Sequence, residues 1–169
     1  MIGVDTFSWQ KLIRLYDTEW KDLVSSIIKE FDLFITVEGR KEFERRFPAH
    51  LFLLDGLTIV PILNEVFDTN LRRGFDATDA SLLEYADLKE ARIITEDKLM
   101  LLEGTTKRRN VVQLIDFFYE LFKSGGTLSK HEFHQLLRTF RDWRNITKRK
   151  ERLYSEGSFE SYTINTHNT

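Results

Sequence analysis

Hydrophobic and polar positions follow two different rhythms along the chain. Short apolar runs predict buried strands at Met1–Val4, Leu33–Val37 and Arg92–Thr95, with weaker candidates at Thr58–Leu63 and Val111–Gln113. Between these runs, apolar residues recur three and four positions apart, which is the spacing of a helix with one buried face. Strands that alternate with helices over the first two thirds of the chain predict crossover units and a parallel sheet covered by helices on both faces.

The helical segments are marked by their periodicity and by their caps. Trp9–Phe31 is interpreted as two helices with a break near Asp17, where Thr18 is placed to cap the second. Ser129 and Glu132 have the spacing of a capping box, which predicts that a helix starts there. Further helices are predicted at Arg40–Phe47, His50–Leu57 and Asp76–Glu90, and after Val111–Gln113.

Composition excludes several classes of protein. The chain has no cysteine, which rules out disulfides, iron–sulfur clusters, thiolate zinc sites and cysteine nucleophiles. No apolar run approaches the ~20 residues of a membrane helix, and the first residues do not resemble a signal peptide. We therefore expect a cytoplasmic protein with no membrane partner. Neither a GxGxxG motif nor a P-loop is present, so no nucleotide cofactor is expected.

Basic residues are concentrated near the end of the chain. Arg138–Arg152 contains seven basic and two acidic residues, a net charge of +5 in a chain whose total is −2. An acidic body with a basic C-terminal segment suggests a metal site combined with contacts to a polyanion. Arg138, Arg141 and Arg144 recur at a spacing that predicts one helical face. The alternative is that these charges only face the solvent.

Acidic residues stand where a parallel sheet binds its ligands. Asp5 and Asp97 follow two predicted strands, and ligands of open α/β sheets lie outside the carboxyl ends of the strands. Asp79 lies on the predicted buried face of its helix, because the positions four and seven residues onward are apolar. Glu42 lies on the short helix that follows the second strand. We expect these four carboxylates to meet at one edge of the sheet.

Each of these acids also has a simpler interpretation. Asp5, Asp76 and Asp79 are suited to capping the helices that they precede or begin. As a cluster, however, carboxylates without cysteine select hard cations such as Mg²⁺ or Mn²⁺, whose chemistry is phosphodiester hydrolysis. His131 and His134 also have a spacing compatible with metal ligation, but without a third ligand they are interpreted as a surface pair.

Four segments of the chain, in this order, resemble the PIN-domain family of metal-dependent ribonucleases. They are Ile2-Gly3-Val4-Asp5-Thr6; Ile35-Thr36-Val37, with Glu42 six residues after Thr36; Thr78-Asp79-Ala80-Ser81-Leu82-Leu83; and Ala91-Arg92-Ile93-Ile94-Thr95-Glu96-Asp97-Lys98-Leu99. The resemblance covers roughly residues 1–123. It implies that an acidic quartet is both catalytic and metal-binding, supported by two threonines. The quartet is Asp5, Glu42, Asp79 and Asp97, and the supporting residues are Thr95 and Thr6.

The same resemblance implies the fold and its extent. It predicts an α/β, PIN-like fold with a central parallel sheet sandwiched by helices and a C-terminal helical extension. The catalytic domain would cover residues 1–123, a basic helical extension residues 124–155, and a disordered tail residues 156–169.

The chain departs from the family pattern in places. Phe7 stands where many relatives have a small polar residue, so the contact that this residue would make is in doubt. Glu38 competes with Glu42 for the second position of the quartet, and helix placement and spacing favour Glu42. Glu96 and Asp76 are nearby acids that would be within reach of a second ion.

The predicted function is that of a Mg²⁺- or Mn²⁺-dependent endoribonuclease that leaves 5′-phosphate and 3′-hydroxyl ends. A non-catalytic PIN-like module that binds RNA or protein is the alternative. A deoxyribonuclease of the flap-nuclease type is a third possibility, but this chain lacks an obvious helical arch for threading DNA. The residues Arg144, Lys148, Arg149 and Lys150 are candidates for RNA binding. The basic groups Arg45-Arg46, Arg72-Arg73 and Lys107-Arg108-Arg109 are further candidates for phosphate contact, or are solvated.

The expected partners are RNA and a second copy of the chain. The 22 aromatic residues are many for one small core, and the family resemblance also favours a homodimer. An antitoxin protein is a further candidate partner. Whether the protein is a toxin or an RNA-processing factor stays open at this point.

Overall fold

The computed structural model describes residues 1–62, 65–107, 110–125 and 127–156. Within it the chain forms two compact units, Met1–Leu114 and a second that begins at Ile115, whereas the sequence predicts a boundary after residue 123. The predicted disordered tail, residues 156–169, lies outside the described residues apart from Glu156, and so do Arg108 and Arg109 of the basic groups. In the described ranges no helix has both the length and the apolar character needed to cross a membrane.

A five-stranded, all-parallel sheet flanked by helices forms the centre of the first unit, which confirms the predicted α/β fold class. Every strand lies within a segment that the apolar runs predict. The strands are β1 (Ile2–Val4), β2 (Leu33–Thr36), β3 (Thr58–Val60), β4 (Arg92–Ile94) and β5 (Val111–Val112). Their order across the sheet is β3-β2-β1-β4-β5.

The order of the strands reverses direction at β1. From β1 the chain moves outward through β2 to β3, and it then returns to place β4 and β5 on the other side of β1. Ile2 accordingly pairs with Leu33 on one side and with Arg92 on the other. Crevices at such reversals, beyond the carboxyl ends of the strands, are where open α/β sheets bind ligands. In this molecule, the residues that follow β1 and β4 occupy that position.

The helices of the first unit begin where side chains cap them. They are α1 (Thr6–Tyr16), α2 (Lys21–Glu30), α3 (Val37–Arg46), α4 (Glu65–Arg72), α5 (Ala77–Lys89) and α6 (Lys98–Lys107), with a 3₁₀ helix at Pro48–Leu54. The helix α3 begins at Val37, earlier than predicted, because the Thr36 hydroxyl accepts a hydrogen bond from the Gly39 amide. The prediction that Thr18 caps α2 is wrong. Its hydroxyl donates to the Leu15 carbonyl instead, and Trp20 stands at the start of α2.

The apolar core on one face of the sheet fixes how closely α5 approaches the strands. Phe34 of β2, Leu82 of α5 and Ile93 of β4 are all buried there. Gly3 of β1 faces this core, and a Cβ at its position would lie 2.6 Å from Cζ of Phe34 and 2.9 Å from Cδ2 of Leu82. The glycine is therefore required by close packing beside the end of β1.

The second unit is built from three helices around aromatic side chains. These are α7 (Leu114–Lys123, from Ile115 onward), α8 (Lys130–Asp142) and α9 (Lys148–Ser155). The predicted capping box is confirmed, since Ser129 and Glu132 exchange side-chain and backbone hydrogen bonds at the start of α8. Phe133 stacks on Phe122 with ring centroids 5.1 Å apart, and Tyr154 of α9 also contacts Phe133.

The predicted stripe of Arg138, Arg141 and Arg144 on one helical face is wrong for Arg144. The helix α8 ends at Asp142, and Arg144 has a left-handed backbone with φ of 57°. This conformation closes the helix, because the Arg144 amide donates to the Arg141 carbonyl and the Asn145 amide to the Phe140 carbonyl. Arg144 therefore lies beyond the helix.

Candidate functional site

Asp5 sits at the carboxyl end of β1 and is almost completely buried, with 1% of its surface exposed. Its Oδ1 accepts a hydrogen bond of 2.6 Å from the Ser8 amide and so caps α1, as the simpler interpretation predicts. Its Oδ2 accepts from the Thr95 hydroxyl at 2.6 Å and from the Glu96 amide at 3.3 Å. Burial raises the pKa of Asp5 above its ordinary value, and the hydrogen bonds from Ser8 and Thr95 oppose that rise.

Asp97 follows β4, the neighbour of β1 in the sheet. Its amide donates to the Thr95 Oγ1 at 2.9 Å, so Thr95 connects Asp5 to Asp97. The Asp97 carboxylate also accepts from the amides of Leu99 and Met100 and thereby caps α6. Thr95, predicted as a supporting residue, thus bonds to both acidic residues through one buried hydroxyl.

Glu42 lies in α3, and side chains of α1, α3 and α5 contact its carboxylate. Its Oε2 accepts hydrogen bonds from the hydroxyls of Thr6 at 2.8 Å and Thr78 at 2.7 Å. Its Oε1 forms an ion pair with Nε of Arg46, one turn further along α3, at 2.8 Å. The carboxylate is 12% exposed. Glu42 is therefore held in place by two hydroxyls from α1 and α5 and by one guanidinium.

The pKa of Asp79, in the first turn of α5, responds to the charges of the neighbouring acids. Its pKa is raised to about 8, chiefly by burial, and further by the charges of Asp76, Asp5, Asp97 and Glu42. The capping role belongs to Asp76, whose Oδ1 accepts from the Asp79 amide at 2.9 Å. The charges of the other three predicted acids thus act on Asp79.

The competing acids point elsewhere or have other partners. Glu38 forms an ion pair with Lys41 at the surface, so the choice of Glu42 over Glu38 agrees with the geometry. Glu96 lies 2.5 Å from Nζ of Lys11 and accepts a hydrogen bond from the Leu114 amide. These contacts occupy Glu96 in joining three segments of the first unit.

The donor set suits a hard divalent cation by its chemistry. The side chains of the site that could bind a metal are carboxylates and threonine hydroxyls. Their ligand atoms are oxygens, which Mg²⁺ and Mn²⁺ prefer. Among the described residues, no group of three or more His, Asp or Glu side chains has the arrangement that would hold a metal ion. Repulsion from the neighbouring acids contributes to the raised pKa of Asp79, and Arg46 is the cation that Glu42 contacts here.

Two residues at the site are not in the predicted set. Thr78 belongs to a segment on which the family resemblance rests, but only the fold shows that its hydroxyl reaches Glu42. Arg46 is considered in the sequence only as part of a dibasic pair. A signal for it is present, because Glu42 and Arg46 are four residues apart in a predicted helix, the spacing at which a glutamate and an arginine form an ion pair.

The basic candidates of the second unit have different surroundings. Arg144, Lys148 and Arg149 are exposed. Lys150 is only 20% exposed, because its ammonium lies 2.6 Å from Asp116. Asp116 also accepts a hydrogen bond from the Tyr154 hydroxyl. Lys150 is thus a structural ion-pair partner, whereas the other three are directed towards the solvent.

Comparisons with protein-family models, with curated proteins and with solved structures find no match for this chain. The resemblance to PIN-domain ribonucleases therefore stays a prediction that rests on the motifs quoted above.

Proposed function

We propose that the chain is a Mg²⁺- or Mn²⁺-dependent endoribonuclease. The observation that carries the proposal is the position and coupling of the four acids. Asp5 and Asp97 follow adjacent strands at the reversal of strand order, and the charges of Asp5, Asp97 and Glu42 all raise the pKa of Asp79. Keeping ionisable groups together under such repulsion is costly for stability alone, and it is typical of sites that bind or transform a ligand.

The residues have distinct parts in this proposal. Asp5, Glu42, Asp79 and Asp97 would hold the cation, which when bound polarises a phosphoryl oxygen and lowers the pKa of a bound water. Thr6 and Thr78 orient Glu42, and Thr95 orients Asp5 and Asp97. Without a cation Asp79 is largely protonated at neutral pH, since its pKa is about 8. A bound cation would favour its ionised form.

The choice of RNA as substrate comes from the family resemblance, which also implies 5′-phosphate and 3′-hydroxyl products. Cytoplasmic location, pairing with a second copy and control by an antitoxin protein are proposals of the same origin. Leu99 and Leu102 of α6 are 58% and 62% exposed and offer apolar surface for a second copy. Sedimentation at micromolar concentration tests the dimer, and a monomer alone would contradict it.

A non-catalytic module that binds RNA or protein is the second candidate. One observation favours it: three of the four acids already have hydrogen-bond or ion-pair partners within the protein, without any ligand. Glu42 has Arg46, Thr6 and Thr78 as partners, and Asp5 and Asp97 both cap helices.

Incubation with RNA of mixed sequence distinguishes the two candidates. We expect cleavage with Mg²⁺ or Mn²⁺ and none with EDTA, and sequencing of the products should show 5′-phosphate ends. Single-stranded DNA in parallel reactions tests the deoxyribonuclease alternative. A thermal shift on addition of Mn²⁺ provides a second measurement, because a cation bound to the native state raises the midpoint. A shift without cleavage of any nucleic acid would favour the module.

A further inference from the structure

An exposed aromatic side chain contacts the arginine that pairs with Glu42. Phe7 is in the first turn of α1, two residues after Asp5, and 51% of its surface is exposed. Of the aromatic residues in the described ranges, only Phe7 and Phe52 are exposed to this degree. Phe52, on the 3₁₀ helix, packs against Tyr16 and His50.

Arg46 connects the ring of Phe7 to the acids. Its guanidinium carbon lies 5.7 Å from the centroid of the Phe7 ring, and its Nε lies 2.8 Å from Oε1 of Glu42. The other oxygen of Glu42 is held by Thr6 and Thr78. Arg46 thus contacts both an exposed aromatic ring and one carboxylate of the predicted quartet. Arg46 is itself 43% exposed, so it can change partner without unpacking the core.

A single-stranded nucleic acid presents the chemistry that this arrangement matches. Its backbone is repelled by carboxylates, so a cation beside them is needed to receive a phosphate. A guanidinium meets phosphate oxygens through two parallel hydrogen bonds and also stacks on aromatic faces. Unpaired bases stack on exposed aromatic side chains. Phe7 and Arg46 supply a base platform and a phosphate contact side by side.

We propose that Phe7 is the stacking platform for a nucleobase next to the phosphate at the acids, and that Arg46 leaves Glu42 to contact the phosphate of that nucleotide. The inference rests on the proposed function and extends it to a substrate contact at a single nucleotide. It also gives a reason for an aromatic residue where the family pattern has a small polar one.

The test measures binding of short single-stranded RNA in Mg²⁺, in an Asp97→Asn background so that the RNA stays intact. A labelled oligouridylate is compared with a set in which one nucleotide at a time lacks its base. Phe7→Ala should weaken binding of the complete oligonucleotide by about fivefold to tenfold. One abasic position should weaken binding to the parent by a similar factor and have no further effect on the Phe7→Ala variant. Phe7→Trp should retain full affinity.

Matched controls separate this contact from general surface effects. Phe52→Ala removes an aromatic residue of similar exposure, 47%, and should leave affinity unchanged. Arg46→Ala should weaken binding, whereas Arg40→Ala, which removes an equivalent ion pair with Glu44 on the same helix, should not.

The outcomes distinguish the inference from the proposed function. If the wild-type protein cleaves RNA but Phe7→Ala binds as tightly as the parent, only the inference is overturned. The same holds if Phe7→Ala loses equal affinity at every abasic position, or if it changes the oligomeric state, since the ring would then contact a second copy. A wild-type protein that neither cleaves nor binds RNA overturns both.

Discussion

The two units of the chain bury different kinds of side chain. In the first unit, buried carboxyl, hydroxyl and amide groups lie among the apolar residues, and they include Asp5, Thr36 and Thr95. In the described part of the second unit, the buried side chains are apolar or aromatic, as Phe118, Phe133 and Phe140 illustrate. Its charged groups lie at the surface or in partly exposed ion pairs such as that of Lys150 with Asp116.

This difference matters because burying polar groups has a free-energy cost. A buried polar group costs free energy unless it is hydrogen-bonded, so a unit built only for stability has little reason to contain many of them. Several of the buried polar groups of the first unit bond to one another near the carboxyl ends of its strands. Ser81, for example, lies 2.7 Å from Oγ1 of Thr36 and 2.8 Å from the Thr78 carbonyl. The first unit therefore holds the candidate site, and the second is packed around aromatic side chains and has a basic surface.

The largest expected effect comes from the acids of the first unit. Asp97→Asn and Asp79→Asn should each reduce RNA cleavage by roughly a thousandfold or more, because each removes a charge that a divalent cation requires. Glu96→Gln is the matched control, since Glu96 is paired with Lys11, and it should retain most of the activity. Cleavage rates per folded molecule provide the measurement. Normal activity in the Asp97→Asn variant would show that Asp97 is only the cap of α6.

Truncation in the aromatic core of the second unit should have the next largest effect. Phe133 is fully buried, so Phe133→Ala should lower the free energy of unfolding by about 3–5 kcal/mol. Ser81→Ala, at the polar edge of the first unit, should cost about 1 kcal/mol by comparison. Hydrogen exchange of the amides in α8 and in α5 reports on each unit separately. A larger loss of stability for Ser81→Ala than for Phe133→Ala would contradict the proposed difference between the two units.

The pH dependence of stability should distinguish the units as well. The pKa of Asp79 rises from 3.8 in the unfolded chain to about 8 in the fold. Between these values the folded state holds a proton that the unfolded state has lost, so the free energy of unfolding should fall as pH rises, by about 1.4 kcal/mol per pH unit at most. Asp79→Asn should remove this decline and leave the midpoint at neutral pH unchanged or higher. Thermal melts from pH 5 to 8 without metal, with Asp142→Asn as a surface control, provide the test.

Two left-handed residues allow a smaller and symmetrical test, one in each unit. Glu90 ends α5 with φ of 51°, and Arg144 follows α8 with φ of 57°. Only glycine adopts this conformation without a steric cost, so Glu90→Gly and Arg144→Gly should each stabilise the protein by about 0.5–1 kcal/mol. Gly125→Ala, at φ of 74°, should act in the opposite direction. Chemical denaturation measures the free energy of unfolding of all three variants. Destabilisation by both glycine variants would contradict the left-handed conformation of Glu90 and Arg144.

The smallest expected effect concerns the basic surface of the second unit. Lys148→Ala with Arg149→Ala should weaken RNA binding for every sequence without changing the position of cleavage. The slope of log affinity against log salt should fall by about 0.7 for each phosphate that the variant no longer binds. Lys150→Ala should instead lower stability, because it leaves Asp116 without its ammonium partner. An unchanged salt slope in the double variant would show that this surface only faces the solvent.

The strands and the acids could be predicted because their signals are local. An aspartate directly after a short apolar run identifies Asp5 beyond β1, and one two residues after such a run identifies Asp97 beyond β4. The topology then places the two strands side by side. The start of α8 could be predicted for the same reason, since its capping box spans only four residues. The identity of all four candidate acids was accessible from the sequence, whereas their mutual distances depend on the order of the strands.

Features that depend on distant partners could not be predicted. The sequence gives no sign that the Thr78 hydroxyl meets Glu42, because their helices are adjacent only in the fold. The helix α6 was not predicted, since its leucines follow one another without a helical period and several of them, such as Leu102, are exposed. Thr18 was wrongly predicted as a cap because its hydroxyl has a nearer carbonyl acceptor, that of Leu15.

The pairing of β1 with β4 has a consequence during synthesis of the chain. The central strand β1 can pair with β4 only after Arg92–Ile94 have been synthesised. Contacts between residues so distant along the chain form late, because closing a long loop is entropically costly. Asp5 leaves the ribosome early, but Asp97 joins it only when most of the first unit has been translated. The candidate site is therefore incomplete until residues 92–97 have been synthesised.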